Sequence, residues 1–231
     1  MDVGRAFTFA FEDPDWMKKM LIGGALLFIP IFGWLVVGGY WMRIIRNAYV
    51  GNDLPLPEWD QIGDDFVLGL KGAVALIVWW LPVYAVIGTM ICLSIPFFLT
   101  AGSDQSSVFV PIIIFSSFGW VGLVMVSTLL QLLMLVVVPM VLGRIAINGD
   151  FAAGFQIREI VQEMRRVPVP LLLVVALEYG IRSVTGLGVF FCIVGLAFTT
   201  FVGYLMLSHL YGQLRRVVEE SGEAASEVVT L

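Results

Sequence analysis

Residue types that carry catalysis or bind metal ions are scarce in this sequence. Its 231 residues include a single histidine, His209, and two cysteines, Cys92 and Cys192. Metal sites draw their ligands from clusters of such residues at short spacing, and these three form no such cluster. The sequence also lacks a nucleophile elbow, a zinc-binding helix pair and a phosphate-binding glycine loop. These absences predict a protein that is not an enzyme and that holds no metal and no other cofactor.

Both cysteines lie inside apolar runs of the chain. In such a setting a cysteine behaves as a small hydrophobic residue, and this is what we expect of each. A disulfide between them stays an alternative if both lie in the outer half of a membrane.

Charged residues are few as well. They make up 13% of the chain, against 59% hydrophobic residues, and the mean hydropathy is +0.95. Soluble domains contain about 25% charged residues, so this chain lacks the polar side chains that a water-exposed surface of its size needs. We therefore expect an integral membrane protein whose main partner is the lipid bilayer. The formal net charge of −5 says little about the membrane part, because much of the acid follows Val217. Nothing in the sequence favours nucleic acid as a partner.

Four apolar runs are long enough to cross a bilayer as helices, which takes about 20 residues. They are Lys71–Thr100, a segment near Gly122–Leu142, Val169–Gly186 and Val189–Leu210. The second span belongs to a longer apolar run, Val108–Gly143, and we expect Ser116–Gly119 to divide that run into a short outer piece and the span. The polar loop at 101–107 contains neither lysine nor arginine, which predicts that it lies outside the cell.

A further apolar run, Met20–Tyr40, contains Pro30 and Gly33 near its middle. Proline removes a backbone donor and glycine permits a turn, so we predict that the run forms a re-entrant helical hairpin and returns to the face that it left. A full crossing of this run is the alternative and would raise the number of spans to five or six. With the hairpin, every lysine and arginine except Arg182 lies on one face, as the positive-inside tendency favours.

The predicted fold class is therefore all-α: a polytopic transmembrane helix bundle with four full spans, an N-terminal re-entrant hairpin and both termini in the cytoplasm. We expect a single transmembrane domain at residues 1–217 and an acidic cytoplasmic tail at residues 218–231, disordered or helical only at its start. Trp16 and Trp59 lie near the borders of apolar runs, so they are predicted to anchor the chain at the membrane interface, where indole rings settle. Asp13 is predicted to cap the helix that begins there.

Two segments are candidates for the membrane surface rather than for a span. Met1–Phe11 is expected either to lie on that surface or to fray. Gly154–Arg166 has the pattern of an amphipathic helix, which either lies on the surface or packs on another cytoplasmic segment. Its arginines are Arg158, Arg165 and Arg166. The arginines of this inner face would suffice for contact with anionic lipid head groups.

Polar residues inside the spans are the candidates for a functional site. Glu178 and Arg182 are spaced i, i+4, so on a helix they share a face and can pair. Ionisable groups at this depth are costly and suggest a function. The pair would serve a proton or ion step or line a substrate path, or it would be a neutral couple that fixes helix packing. Gln131 can bond a neighbouring helix, and His209 either titrates near neutral pH or anchors the inner end of its span.

Small residues recur at every fourth position in the last span, at Gly195, Thr199 and Gly203. Such a face lets two helices approach closely. We expect it to pack within the chain, or else to form a homo- or hetero-oligomer.

Several motifs occur together between Glu12 and Lys71. In order, they are Asp13-Pro14-Asp15-Trp16, Ile29-Pro30-Ile31, Gly39-Tyr40, Gly51-Asn52-Asp53-Leu54-Pro55-Leu56-Pro57-Glu58-Trp59 and Gly69-Leu70-Lys71. This part of the chain resembles a prokaryotic family of polytopic membrane proteins that is known only as a domain of unknown function. More distantly, the layout resembles the membrane domain of some glycerophosphodiester phosphodiesterases. The resemblance implies a multi-pass protein of a prokaryotic cell membrane, and no activity comes with it.

These observations favour a non-enzymatic membrane component, such as a scaffold or an accessory subunit of a membrane complex. The alternative is a transporter or channel for a small solute or ion, in which Glu178 and Arg182 take part. A transporter needs a water-accessible path past Glu178, whereas a scaffold has a closed core. A membrane-embedded lipid enzyme, the third class, needs a polar cluster at one interface.

Overall fold

The computed structural model describes the backbone of residues 1–52, 54, 56–100 and 106–229, and their side chains except at 96–100, 106–118, 191–192 and 225–229. Within these ranges the chain forms eight α-helices and no strand. The helices are α1 (Val3–Thr8), α2 (Trp16–Leu26), α3 (Phe32–Val50), α4 (Ile62–Thr100), α5 (Ser106–Asn148), α6 (Ile157–Arg166), α7 (Pro168–Gly186) and α8 (Cys192–Val229). Short 3₁₀ turns occupy Phe9–Glu12, Ala152–Phe155 and Leu187–Phe191.

Four helical segments are long and apolar enough to cross a membrane. They are Ile62–Ile95, Gly119–Asn148, Pro168–Phe190 and Ile193–Ala224. Each exceeds the roughly 20 residues that a bilayer requires, and each overlaps one of the spans expected from hydropathy over most of its length. The prediction of an all-α polytopic helix bundle is confirmed.

The helix α5 runs without interruption from Ser106 to Asn148. The expected division at Ser116–Gly119 is therefore wrong. Inside a bilayer a polypeptide has few partners for its backbone groups other than its own carbonyls, so a few small polar residues do not stop a helix. Residues 101–105 of the predicted outer loop lie outside the described part of the chain, and so does the side chain of Cys192. Cys92 is a free cysteine, so the alternative of a disulfide is wrong.

The helices divide into two compact units, one of Met1–Ala75 with Val136–Leu231 and one of Leu76–Leu135. The smaller unit contains the part of α4 after Ala75 and the part of α5 before Val136. Large apolar side chains are exposed along both parts, for example Leu81 and Val121, as expected of helices that face lipid.

The N-terminal hairpin consists of α2 and α3. Between them the helix breaks at residues 27–31, and Ile31 adopts a φ of +64°. Gly33 is required beside this turn, because a Cβ atom there would lie 1.8 Å from the carbonyl oxygen of Leu26. Pro30 and Gly33 thus lie where the chain reverses. The position of the hairpin in a membrane stays a prediction.

The larger unit is built on the contact between α3 and α8. A Cβ atom at Gly212 would lie 2.4 Å from the carbonyl oxygen of Ile45 and 2.6 Å from the Cβ of Ala48, so the two helices touch along their backbones. Side chains from several segments are buried together next to this contact. They are Phe9, Tyr40, Ile44, Leu56, Phe201 and Leu205.

The first residues pack against α8. Ala6 is fully buried, and the backbone amide of Asp2 donates to Oε1 of Gln213 at 2.6 Å. The side-chain amide of Gln213 in turn donates to the Asp2 carbonyl at 2.8 Å. The N-terminus is therefore held by the last helix rather than frayed, and it lies at the same end of the unit as Gln213.

The helix α8 continues to Val229. The expectation of a tail that is disordered, or helical only at its start, is wrong for these residues. Glutamate and alanine, which dominate the segment after Val218, are good helix formers, and Val218 itself is 3% exposed. The division into a domain at 1–217 and a tail at 218–231 stays a prediction.

Candidate functional site

Glu178 and Arg182 form an ion pair within α7. Arg182 donates to Oε1 of Glu178 from Nε at 2.9 Å and from Nη2 at 2.7 Å. Glu178 is fully buried, whereas the Arg182 side chain is 39% exposed. Glu178 follows Pro168 by ten residues, which is about 15 Å along the helix, or half of a hydrocarbon core about 30 Å thick. The carboxylate is thus deep in the predicted span.

Aromatic residues of α3 and α8 surround this pair. The Arg182 guanidinium lies 5.5 Å from the ring centroid of Tyr204, within the range of a cation–π interaction. Trp41 of α3 stacks on Tyr204 at 4.5 Å, and Tyr211 lies beside the Glu178 carboxylate. We name these five residues the intramembrane cluster.

Three polar atoms of the intramembrane cluster are buried without a hydrogen-bond partner among the described residues. They are Oε2 of Glu178, the hydroxyl of Tyr211 and Nε1 of Trp41. An unpartnered buried polar group destabilises a fold by about 1–3 kcal/mol. The carboxylate oxygen and the phenol can accept or pass a proton, or bond a small polar molecule, but they do not make a nucleophile with its base.

The small residues predicted for helix packing lie where α8 meets α7. A Cβ atom at Gly203 would lie 2.2 Å from Cγ2 of Thr185. The Thr199 hydroxyl donates to the carbonyl of Thr185 at 2.9 Å and to that of Gly195 at 2.9 Å. This close approach within the chain brings the tyrosines of α8 to the ion pair of α7.

An apolar groove of about 620 Å³ runs along the same two helices. Its walls include Ala176, Gly180, Val184, Phe198 and Val202, together with Phe7 of α1. Neither Glu178 nor Arg182 lines it. The groove and the ion pair are therefore separate features.

The other two polar candidates lie elsewhere. His209 is buried, its ring stacks on Phe9 at 4.4 Å, and its Nδ1 lies 3.0 Å from Nε2 of Gln213, so it belongs to the contact of α1 with α8. Gln131 lies in the smaller unit and donates to the hydroxyl of Ser127 at 3.0 Å. The structure brings Glu178 and Arg182 together and leaves His209 and Gln131 outside the intramembrane cluster.

A buried lysine in α2 forms a second polar site. Lys19 is 2% exposed. Its ammonium group lies 3.0 Å from Oδ2 of Asp13, 2.7 Å from Oε1 of Glu58 and 2.8 Å from the carbonyl oxygen of Leu56. The Leu56 amide donates to the same Asp13 oxygen at 2.7 Å. We name these four residues the N-terminal cluster; the one signal for it in the sequence was that three of them belong to the motifs of the family resemblance.

Asp13 serves the N-terminal cluster instead of capping the helix. The helix α2 begins at Trp16 with Asp15 as its N-cap, and Oδ1 of Asp13 accepts from the Asp15 amide at 2.8 Å. The expected cap at Asp13 is therefore wrong, because the carboxylate turns toward Lys19 and Leu56.

Ionisation in the N-terminal cluster follows from these contacts. Burial alone would raise the pKa of Asp13, but hydrogen bonds from Lys19 and from the amides of Asp15 and Leu56 outweigh it, and the pKa lies below its ordinary value. Burial alone would lower the pKa of Lys19, but Glu58 and Asp13 outweigh it, and the pKa is raised. Both groups are therefore charged at neutral pH.

The two tryptophans predicted as interface anchors pack next to the core. Trp59 stacks on Tyr40 at 4.1 Å, and its Nε1 donates to the Lys19 carbonyl at 3.2 Å. Trp16 meets Phe11 edge to face at 5.3 Å. Both indoles are half-buried, and their place relative to lipid stays a prediction.

Several cations of the predicted inner face bind helix ends. Arg46 donates from Nε at 3.0 Å and from Nη2 at 2.9 Å to the carbonyl of Ala146 in the last turn of α5. Arg216 donates to the carbonyl of Tyr49 near the end of α3 at 2.8 Å, and Lys71 bonds the carbonyl that follows α5 at 2.7 Å. Carbonyls at helix C-termini lack intrahelical partners and carry the negative end of the helix dipole. These cations therefore stabilise helix ends within the protein.

Two more arginines pair with buried acids. Nη2 of Arg43 lies 2.6 Å from Asp65, which is fully buried. Glu163 of α6 is shared by Arg144 of α5, at 2.7 Å, and Arg215 of α8, at 2.6 Å. These pairs fasten α4 to α3, and α6 to α5 and α8.

Comparison with known proteins identifies a family. The sequence model of a family described as "Protein of unknown function (DUF4013)" matches residues 22–198, which is more than half of the chain. The chain belongs to the DUF4013 family. No curated protein and no solved structure matches it.

The residues matched by the family include only part of each polar site of this DUF4013 protein. Glu178, Arg182 and Trp41 lie inside the matched residues, whereas Tyr204 and Tyr211 lie beyond their end. The description of the DUF4013 family names no activity, so the arguments about function rest on the residues themselves.

Proposed function

We propose that this DUF4013 protein is a non-enzymatic component of a prokaryotic cell membrane and acts as a scaffold or an accessory subunit of a membrane complex. Both termini lie in the cytoplasm in this proposal, and the lipid bilayer is the general partner. The observation that carries it is the exposure of α4.

Most of α4 is uncovered by the rest of the protein. Among the most apolar residues of Ile62–Ile95, 6% are buried inside the protein. The corresponding share in Ile193–Ala224 is 39%. Ala85, Thr89 and Cys92 are exposed on one face of α4. A face of small residues lets a second transmembrane helix come close. Such a face is what an accessory subunit requires.

Paired charges support the same proposal. Arg182 compensates Glu178, and Arg43 compensates Asp65. Breaking one partner from a buried pair is strongly unfavourable, so such pairs favour one arrangement of the helices. A scaffold needs one fixed arrangement, whereas a transporter alternates between two.

Cross-linking through Cys92 tests the scaffold proposal. Cys92 is exposed and free, and Cys192→Ser leaves it as the single cysteine. In native membranes we expect one defined cross-linked product, formed with a second copy or with another membrane protein. Ala85→Leu and Thr89→Leu are expected to lower its yield several-fold, because the larger side chains hold a partner helix away. Ser94→Leu, on the opposite side of α4, is the control. A chain that yields no defined product, or a product that Ala85→Leu leaves unchanged, contradicts the proposal.

Transport of a proton or small ion is a second candidate, favoured by one observation in the intramembrane cluster. Oε2 of Glu178 and the Tyr211 hydroxyl are both buried without a hydrogen-bond partner among the described residues. Carboxylates inside membrane spans serve proton relays in pumps and transporters. A proton or a small polar species would satisfy these atoms.

Flux through sealed proteoliposomes separates the two candidates. Transport predicts a proton or ion flux that falls at least tenfold in Glu178→Gln, which keeps the size of the side chain. Tyr204→Phe, in the same cluster but not beside the carboxylate, is the control and is expected to keep the flux. The scaffold proposal predicts no flux above that of empty vesicles in any of these proteins.

A further inference from the structure

The helix α6 has a protein-facing side that carries its acids. Ile160 is 1% exposed and Glu163 is 9% exposed. Glu163 pairs with Arg144 and Arg215, and Arg144 also bonds Glu159. The negative charges of α6 are thus neutralised on the side that faces α5 and α8.

The opposite side of α6 combines exposed apolar residues with uncompensated positive charge. Ile157 is 59% exposed and Val161 is 38% exposed. Arg158 and Arg165 are exposed beside them. At the angular spacing of an α-helix these four residues fall within about 100°. We name them the outward face of α6.

The arginines of this side make no ion pair within the described part of the chain. This holds for Arg158 and Arg165. Arg166, which ends the helix, lies about 80° outside the outward face, and its guanidinium reaches toward α8, where a Cβ atom at Gly222 would lie 3.3 Å from Nη1. Arg43, Arg144 and other cations of the predicted inner face bind carbonyls or acids within the protein. The arginines of the outward face differ from them, because they remain available to a partner outside the chain. An apolar strip next to arginines is the pattern of helices that lie in a membrane interface.

The outward face is also continuous with the surface that faces lipid. Only Val167 separates α6 from Pro168, where α7 begins. Val169 is 74% exposed and Leu172 is 64% exposed. Apolar side chains for the bilayer therefore start three residues after Arg166, so the arginines lie at the level where the span meets its head groups.

We propose that the outward face of α6 is a binding surface for anionic phospholipids. Ile157 and Val161 insert among the head groups, while Arg158 and Arg165 bind the lipid phosphates. The acids of the same helix do not oppose this contact, because Arg144 and Arg215 hold them on the other side. The proposal goes beyond the proposed function and does not depend on whether the protein is a scaffold or a transporter.

A fluorescent reporter on α6 tests this proposal in the full chain. An environment-sensitive dye is attached at Val161→Cys, in a Cys92→Ser, Cys192→Ser background, and the protein is placed in nanodiscs of phosphatidylcholine with or without phosphatidylglycerol. We expect a blue-shifted emission that requires phosphatidylglycerol and is quenched by lipids with a quencher in the head group. Raising the salt to about 1 M, where screening acts within about 3 Å, is expected to weaken the shift. The dye at Gln162→Cys, on the polar side of α6, is the control and stays in water.

Charge variants complete the test. Replacing Arg158 and Arg165 by glutamine is expected to abolish the effect of phosphatidylglycerol, and replacing them by lysine is expected to keep it. These side chains are exposed, and an unchanged gel-filtration profile shows that the variants fold. Three results would overturn the proposal: emission at Val161→Cys equal to that at Gln162→Cys, a shift of the same size without phosphatidylglycerol, or a shift in detergent that appears only when an acidic protein or RNA is added.

Discussion

Lys19 keeps its charge in a place closed to water because oxygen atoms surround its ammonium group. Asp13 supplies one of them, at 3.0 Å, and its carboxylate also accepts the Leu56 amide at 2.7 Å. In a buried pair, removing one partner leaves the other charge uncompensated, and this is more harmful than replacing both. The N-terminal cluster therefore holds the start of α2 to the connection between α3 and α4.

Asp13→Asn is expected to destabilise the protein strongly. The amide cannot compensate Lys19, and loss of one partner from a buried pair typically lowers the free energy of unfolding by about 3–5 kcal/mol. Glu58 still faces Lys19 at 2.7 Å, so we expect the lower end of that range. Chemical unfolding in detergent, followed by circular dichroism, measures the change. Lys18→Gln is the control, because Lys18 is exposed and surface changes stay within about 0.5 kcal/mol. Equal small effects of the two substitutions would contradict this account.

The N-terminal cluster also predicts a pH dependence. The pKa of Asp13 is lowered, so its contribution is complete above about pH 4 and is lost as the pH falls through the pKa of the folded state. The pKa of Lys19 is raised, so its contribution is complete below about pH 10 and is lost as the pH rises through the folded pKa. We expect the free energy of unfolding in detergent to fall less in Asp13→Asn than in the unsubstituted protein when the pH is lowered. A loss of the same size in both proteins would assign it to other carboxylates.

Tyr211→Phe is expected to change the stability of the protein little. The hydroxyl is buried beside the Glu178 carboxylate but makes no well-formed hydrogen bond among the described residues, so its removal costs less than the about 1 kcal/mol that a well-formed hydrogen bond contributes. The thermal unfolding midpoint in detergent reports this. A clear fall of the midpoint would mean that the hydroxyl holds a partner, and would strengthen the transport candidate.

Whether a contact between two residues could be predicted depends on how far apart they lie in the sequence. Glu178 and Arg182 were found because a spacing of four on a helix implies proximity. Lys19 was assigned to the cations that report membrane orientation, because nothing near it in the chain indicates burial. Its partners Leu56 and Glu58 are far along the chain, and only folding brings them together. The same holds for Arg46, whose carbonyl partner belongs to Ala146.

At the scale of elements, the turn between α2 and α3 depends on Gly33. A Cβ atom there would lie 1.8 Å from the Leu26 carbonyl, so Gly33→Ala is expected to lower the free energy of unfolding by about 1–3 kcal/mol, as overpacking does. Gly63→Ala is the control, because a Cβ atom at Gly63 meets nothing within 4 Å. Denaturant unfolding of the two variants measures the difference. A harmless Gly33→Ala would show that the turn is looser than described.

The length of each arm bears on how the hairpin lies. The helix α2 has 11 residues and is about 16 Å long. The part of α3 before Arg43 is also 11 residues, about 16 Å, against a hydrocarbon core of about 30 Å. Neither apolar arm alone reaches across, which supports the prediction that the chain returns to the face it left.

The long apolar runs of the sequence predicted the four membrane-spanning helices, but they did not predict where those helices end. The cores of all four spans follow from hydropathy, since lipid demands apolar length. The continuity of α5 was missed because serine and glycine end helices in water more readily than in a bilayer. The extension of α8 to Val229 was missed because an acidic segment rich in small residues was taken for a disordered tail. The packing of α1 on α8 joins the first and last parts of the chain, which no local pattern reveals.

At the scale of the whole molecule, the contact of α1 with α8 supports the prediction that both chain ends lie on one side of the membrane. Asp2 is bonded to Gln213, and α8 continues in one direction from there to the exposed Ala224. If both termini of the chain lie on the same side of the membrane, the chain between them crosses the membrane an even number of times. The four candidate spans together with a re-entrant hairpin give that number, whereas a crossing at Met20–Tyr40 gives an odd one.

Cysteine accessibility in oriented vesicles tests this topology. In a Cys92→Ser, Cys192→Ser background, we expect Thr8→Cys and Ala224→Cys to be labelled by a membrane-impermeant reagent from the same side. Ser103→Cys, in the outer loop predicted from the sequence, is expected to be labelled from the other side. Thr8 is exposed, unlike its neighbour Ala6, so a lack of label there would not reflect burial by α8. Labelling of Thr8→Cys and Ala224→Cys from opposite sides would mean that Met20–Tyr40 crosses the membrane. The argument from the distribution of lysine and arginine would then fail together with the re-entrant hairpin, because Lys18 would lie outside the cell.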